Sequence, residues 1–262
     1  MKKRTNFLGI AVCIAFFVFT SCSEEALFPH AEIFHSVAWN EDESLKYELT
    51  RNEYLEGYCV LETKIDMAIK KTELTQTCTD SLGIGYIDKR KTVVQNQNLK
   101  PIESNRQINN PEKSERRHFS SIYYYSVESA VTFKIAEFKG SEREPTKTLE
   151  VERALPTPTD AVPDPVWYDD DSIFWLLRGI KLTDGYQASF TNVNAATGRV
   201  FSAHLEVLRK EIIEVPLGKF ETWKIKLETT SIKQHLWVEV DRPHRIVRAE
   251  LEDLVYKLVL SD

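Results

Sequence analysis

The chain has 262 residues, with 34 basic and 40 acidic side chains and a formal net charge of −6. Hydrophobic residues at 42% and charged residues at 28% are ordinary for a folded body, and the acidic balance excludes a nucleic-acid binder, which needs clustered Lys and Arg. Nine glycines against 11% aromatics argue against Gly-rich phosphate loops and for strands with bulky faces.

The chain opens on "MKKRTN", three positive charges without an acid, followed by the apolar run "LGIAVCIAFFVF" at residues 8–19. A spanning helix needs about 20 apolar residues, so the short run behind a basic start predicts a cleaved export signal at residues 1–21. The remaining chain carries 31 basic and 40 acidic residues, a net of −9. Anionic headgroups repel such a body, so attachment to a membrane must come from something other than charge.

"Phe19-Thr20-Ser21-Cys22" resembles the bacterial lipoprotein signal, in which cleavage precedes a diacylglyceryl-modified cysteine. Thr20 and Ser21 supply the small residues; Phe19 stands where that family prefers Leu. Cys22 is therefore the expected lipid attachment, which predicts a partner in the membrane and a location at the cell envelope, periplasmic or on the cell surface. Ordinary signal peptidase is the alternative, because Ser21-x-Ser23 is small-x-small. Two or three acyl chains, at about 0.8 kcal/mol per buried methylene, anchor a soluble body stably. "Ser23-Glu24-Glu25" resembles a Ser-acid-acid surface-export signal of Bacteroidetes-type lipoproteins, and reads equally as a solvated acidic start to a tether over residues 22–43.

From residue 44 the pattern turns to strand: Leu45, Tyr47 and Leu49 alternate with polar residues. "EGYCVLETKID" and "KTELTQTCTDS" form a predicted hairpin through residues 67–70. With Asp66 opposite Lys71, Lys64 faces Glu73 as an opposite-charge pair, Glu62 faces Thr75, and Cys59 faces Cys78. Directly opposed residues of an antiparallel pair are within disulfide reach. A Cys59–Cys78 disulfide is the expectation, with two buried free thiols or a slipped register as the alternative. A further hairpin follows in "GIGYIDKRKTVVQNQNLKPIESNRQI", then a polar turn at residues 109–118 and strands in "SSIYYYSVESAVTFKIAEF" and "KTLEVERAL". The Pro-rich stretch 156–165 cannot be a central strand. It reads as a crossing loop inside one domain, residues 44–262, because strands continue on both sides.

One helix is predicted near residues 169–179. Asp169, Asp170 and Asp171 complement its dipole, Ile173, Leu176, Leu177 and Ile180 share a face, and Gly179 stops it. Its apolar face is expected to cover the open side of a sheet. In the C-terminal third, "PLGK" and "RPHR" are turns between strands. Imperfect alternation of Phe220, Trp223, Ile225 and Leu227 predicts a bulge near Thr222. The total is about ten to twelve strands with one helix: mainly β, an antiparallel curled sheet or unclosed barrel.

"VPLGKFETWKIKLE", then "HLWVEVDRPHRIVRAEL", together with "VVQNQNLKPIESNRQI" and "YDDDSIFWLLRGIKLTDGY", resembles an ordered set found in uncharacterised exported proteins related to the LolA/LolB lipoprotein-carrier fold. The resemblance spans roughly residues 44–260. It implies an antiparallel sheet curled into an unclosed barrel, with helical cover over an apolar concavity, and it implies shape more than activity.

Catalytic motifs are lacking. The six histidines, at 30, 35, 118, 204, 235 and 244, form no metal-binding pair on a helix, and no nucleophile elbow or phosphate loop occurs. The three consecutive acids read as helix capping, because adjacent acids at a helix start do not face one site. His204 and His235 are expected to be structural. Trp175, Trp223 and Trp237 are expected in the packed core, with the lining of an apolar cavity as the alternative. The sequence thus predicts no catalytic, cofactor or metal site, and no nucleic acid as partner. The expectation is a non-enzymatic lipoprotein with an apolar ligand in its curl, or else an envelope adaptor with a filled core.

Overall fold

The structure, a computed structural model, describes residues 33–83, 85–124, 130–156, 166–229 and 232–261. The predicted signal at 1–21, Cys22, the tether up to residue 32 and nearly all of the Pro-rich crossing lie outside the described residues.

The first half is a meander of β1 (Glu43–Arg51), β2 (Tyr54–Asp66), β3 (Lys71–Asp80), β4 (Ile87–Gln95), β5 (Pro101–Asn110), β6 (Glu115–Tyr124), β7 (Ala130–Lys139) and β8 (Lys147–Ala154). The second half holds β9 (Trp167–Asp169), β10 (Gln187–Asn194), β11 (Arg199–Val215), β12 (Gly218–Thr229), β13 (Lys233–Glu239), β14 (Ile246–Leu251) and β15 (Leu254–Ser261). β1 pairs with β15, so the halves join at the centre of one sheet whose edges are β8 and β9. All pairings are antiparallel except β9 with β10.

The mainly β, unclosed architecture is as predicted, but with 15 strands rather than ten to twelve. The difference has a physical cause. Gln187–Asn194 is buried on both faces and shows no alternation to read, and the three-residue β9 looks like part of the helix that follows it. The bulge also differs in place. Leu208 of β11 is the extra residue, between the pairs Val207–Ile225 and Arg209–Lys224. The β2–β3 register is the predicted one: Asp66 faces Lys71, Lys64 faces Glu73, and Cys59 faces Cys78. The two cysteines are disulfide-bonded, with Cα atoms 4.0 Å apart.

The sheet curls until its two sides meet through side chains rather than through a backbone strand pairing of β8 with β9. Tyr123, Val131 and Leu155 from the β6–β8 side form a small apolar cluster with Trp167 and Val193 from β9 and β10. Gly198, in the β10–β11 turn at φ +63°, comes so near β7 that an added Cβ would lie 3.2 Å from the Phe133 ring.

The predicted helix is the main departure. Within residues 169–179 only Ile173–Leu176 is α-helical (α1), preceded by a 3-10 turn at Asp170–Ser172. Neither is a lid. Residues 166–180 run through the interior of the curl as a strap, and Tyr168, Trp175, Leu176 and Leu177 are among its most buried side chains. Trp175 donates its indole N–H to Thr63 of β2 at 2.8 Å. A second filler comes from the predicted tether: Ile33, Phe34, Ala38 and Trp39 are buried in the core. Gly179 owes its place to this packing. A Cβ there would sit 2.0 Å from the Phe34 ring, and its carbonyl accepts from His35 N at 2.8 Å.

Strand directions give the curl two ends. β1 begins at the end that holds Asp42, Glu43 and the 240–245 turn, with Asp42 accepting from Ile65 N at 2.8 Å. The opposite end carries the turns at 52–53, 195–198 and 252–253.

Candidate functional site

Where the strap leaves β9, three consecutive carboxyls converge. One ligand atom from each of Asp169, Asp170 and Asp171 lies within 4.8 Å of the others. This overturns the expectation that adjacent acids cannot face one site: a strand end followed by a 3-10 turn, unlike an α-helix, folds them onto a common point. Only Asp169 caps, accepting from Asp171 N at 2.8 Å. Its other oxygen accepts from the hydroxyls of Ser104 and Tyr123, on β5 and β6. Asp170 accepts from Ala195 N at 2.9 Å and from the Asn194 amide. Asp171 Oδ1 accepts from Arg90 at 3.1 Å, while Asp171 Oδ2 is buried with no donor among the described residues.

On the floor beside them, Asp88 is held by Arg106 at 2.7 and 2.8 Å and by Arg90 at 2.9 Å. Burial by itself would raise the Asp88 carboxyl, but hydrogen bonds from Arg106 and the charge of Arg90 outweigh it and hold it below the usual carboxylate value. The strap acids move the other way. Burial and the neighbouring Asp171 charge push Asp169 up to about 7, and burial with the same neighbour pushes Asp170 well above the ordinary range. Four carboxyls thus face two guanidiniums, and the surplus is neutralised by protons or by a bound cation. Each oxygen of Asp169 and Asp170 already accepts a hydrogen bond, which leaves Asp171 Oδ2 as the triad's one carboxylate oxygen without a donor among the described residues.

Next to this cluster a cleft of about 170 Å³ opens at the end of the curl remote from Glu43. Its lining mixes apolar side chains, among them Phe174, Phe201, Leu227, Ile232 and Leu251, with the polar Gln76, Arg90, Asp170, Asn192, Asn194, Thr229 and Gln234. Asn192 is 3% exposed, and its Oδ1 finds no donor among the described residues.

The tryptophans singled out from the sequence do not line this cleft. Trp175 is core, Trp223 lies under the Lys210 ammonium, and Trp237 is sandwiched on the outer face between Lys224 and Arg248. His204 and His235 stand on β11 and β13 opposite Glu228 and Lys226 of β12, away from the cleft, and Ser189 lies 3.2 Å from His204 Nδ1. Asp88, Arg90 and Arg106 were not singled out at all. Asp88 and Arg90, two apart on β4, and Arg106 on the neighbouring β5 look like a solvated strand face until the curl turns that face inward.

Fold and site together define a barrel-like, curled antiparallel sheet with an internal strap, a buried acid–guanidinium cluster and a small mouth cleft. The chain belongs to the DUF3108 family of proteins of unknown function, whose sequence model matches residues 57–260. No curated protein matches it. Among solved structures it is similar to a beta-barrel-like DUF1849 protein from Brucella abortus, at 12% identity and a TM-score of 0.41 over 85% of this chain and 97% of that one. It is also similar to a Bacteroides fragilis protein described as exported, with a YmcC-like fold, at 10% identity and a TM-score of 0.36 over 88% of this chain and all of that one.

Proposed function

We propose that this is a non-enzymatic binding module of the bacterial envelope, exported by residues 1–21, anchored by lipid on Cys22, and taking a small apolar or amphipathic ligand in its mouth cleft. The observation that carries the reading is the cleft itself: a lining of apolar side chains interspersed with polar ones, and an opening at the end opposite the point where the chain enters the fold. A lipoprotein-carrier-like use of the curl belongs to this proposal, but at a smaller scale than a groove for whole acyl chains. At about 170 Å³ the cleft is below the 300–1,000 Å³ of drug-sized pockets. The Cys59–Cys78 disulfide supports an oxidising compartment.

One observation favours a second reading, an envelope adaptor working through its surface. The strap and the segment at 33–39 fill most of the interior with Trp, Tyr, Phe and Leu side chains. Mass spectrometry of protein purified from its native membrane separates the possibilities. A diacylated N-terminal Cys22 with a co-purified small molecule is the expected result. An unmodified mass starting at residue 22, 23 or 24 removes the anchor, and a lipidated chain that never carries or binds a small molecule leaves the adaptor.

A further inference from the structure

We infer that the tip of the β2–β3 hairpin, residues 67–70, is a lipid-contacting edge that lays Met67 and Ile69 into the headgroup layer of the bilayer holding the chain. The inference rests on the lipid anchor proposed above and goes beyond it. Acyl chains on Cys22 keep the body at the membrane; the tip fixes which end of the curl faces it.

The tip is apolar where a hairpin turn is ordinarily built from Gly, Pro, Asn, Asp or Ser. In Asp66-Met67-Ala68-Ile69-Lys70 the two bulky side chains stand out into water, Met67 at 77% and Ile69 at 60% exposed. Exposed apolar area of this kind costs free energy in water, and a lipid surface removes that cost.

The turn also carries its own hydrogen-bond partners. The Asp66 carboxylate accepts from Ala68 N at 2.9 Å and from Ile69 N at 3.2 Å, and the Lys70 carbonyl accepts from Asn96 N at 3.1 Å, in the adjoining β4–β5 turn. Asn96 Oδ1 accepts from the Thr72 hydroxyl at 2.7 Å, which ties the two turns together. Backbone groups satisfied in this way need not be stripped of water when the tip enters a lipid interface, and the shape that presents Met67 and Ile69 is set beforehand.

Position names the occupant. Apolarity alone does not choose an end, since Tyr54 and Leu82 at the opposite end are each 78% exposed. The anchor does. The chain enters the fold at the end of the tip, where Asp42 accepts from Ile65 N at 2.8 Å, just before the turn begins. The stretch from Cys22 to Ile33 reaches at most about 40 Å, so the tip lies within range of the bilayer. Charge takes no side here. Residues 40–42, 64–73 and 96–100 hold Lys64, Lys70, Lys71 and Lys100 against Glu41, Asp42, Asp66 and Glu73. A balanced surface gains nothing from anionic lipid, so the contact is apolar, with the lysine stems free to lie along the interface and keep their ammonium groups among the headgroups.

A dye placed at either end tests this. The full chain, lipidated in its host and carrying Ile69→Cys or Leu82→Cys, is labelled with nitrobenzoxadiazole and reconstituted into phosphatidylcholine vesicles with and without phosphatidylglycerol. Both positions are exposed, so the label leaves the core alone, and Cys59 and Cys78 are held in their disulfide. The dye at 69 is expected to emit at shorter wavelength than in detergent-free buffer and to be quenched by lipids bearing a nitroxide near the headgroup. The dye at 82 should show neither effect, and phosphatidylglycerol should change neither reading. A chain that floats with the vesicles while the dye at 69 stays water-like, or while both dyes shift alike, overturns the tip contact and leaves the anchor standing. A shift at 69 that requires phosphatidylglycerol overturns its apolar basis. A chain that does not float overturns the anchor and the tip contact together.

Discussion

At the scale of single residues, Asp169 decides how the molecule responds to pH. Its carboxyl is fully buried and sits at about 7 in the folded state, against 3.8 ordinarily. A raised carboxyl means that the folded state holds the proton more tightly than the unfolded chain. Its contribution to stability is therefore complete below about pH 4 and is lost as pH rises through about 7. Asp88 has the opposite sign: its lowered value gives a contribution present at neutral pH and lost on acidification. Thermal unfolding should accordingly show a decline between pH 5 and pH 8 that becomes shallower in Asp169→Asn, whose amide keeps an oxygen for Ser104 and Tyr123 without the buried charge, while the likewise raised Asp170 supplies the slope that remains. The gain at pH 8 should be of order a few kcal/mol. A wild-type melting temperature that is flat across this range, or an equally steep slope in the variant, contradicts the assignment.

At the scale of elements, the strap is the part that makes a curled sheet into a stable body. An unclosed sheet leaves its concave face without a partner, and the described residues form no second sheet to cover it. The strap and the segment at 33–39 do so from inside and are fastened to each other. Arg178 holds Glu43 through both carboxylate oxygens, donates to the Pro243 and His244 carbonyls at 3.1 and 3.2 Å, and stacks over Trp39 at 5.0 Å. Trp175 is the central bolt, 1% exposed with its N–H on Thr63. Trp175→Ala leaves a large void and removes one of the two hydrogen bonds of the Thr63 hydroxyl, which keeps its bond to Glu43 at 3.3 Å, and should cost about 3–5 kcal/mol. Trp175→Phe, which keeps most of the volume, should cost clearly less. Chemical denaturation of the two variants checks this. If both lose the same amount, the hydrogen bond rather than the packing carries the strap.

At the scale of the whole molecule, the two ends of the curl have different tasks under the proposed function. The described chain enters at the end of Asp42 and Glu43, and the cleft opens at the other. Eleven residues from Cys22 to Ile33 span at most about 40 Å when extended, so a lipid on Cys22 keeps the body close to its bilayer with the cleft turned outward. Cys22→Ser should move the protein from the membrane pellet to the soluble fraction and leave its melting temperature within about 1 °C, because the described core makes its contacts without that residue. A variant that stays in the pellet contradicts the lipid anchor.

The sequence by itself determined whatever is encoded at short range. Alternation with period two gave the strands, and the opposed charges of Lys64 and Glu73 with the paired cysteines gave the β2–β3 register to the residue. The turn residues gave the C-terminal hairpins. What only the tertiary structure decided is what the curl does to residues far apart in the chain. Segments buried on both faces, such as Gln187–Asn194, carry no period to read, and Phe34 and Trp39 look like tether because their partners, Gly179 and Arg178, lie well over a hundred residues away. The acid cluster is the clearest instance. Three acids in a row satisfy the local rule for a helix start, and that rule holds for Asp169 alone. Ser104, Tyr123 and Arg90, from three different strands, turn the same residues into a buried charge site, because closing the curl removes the water that would otherwise have solvated them.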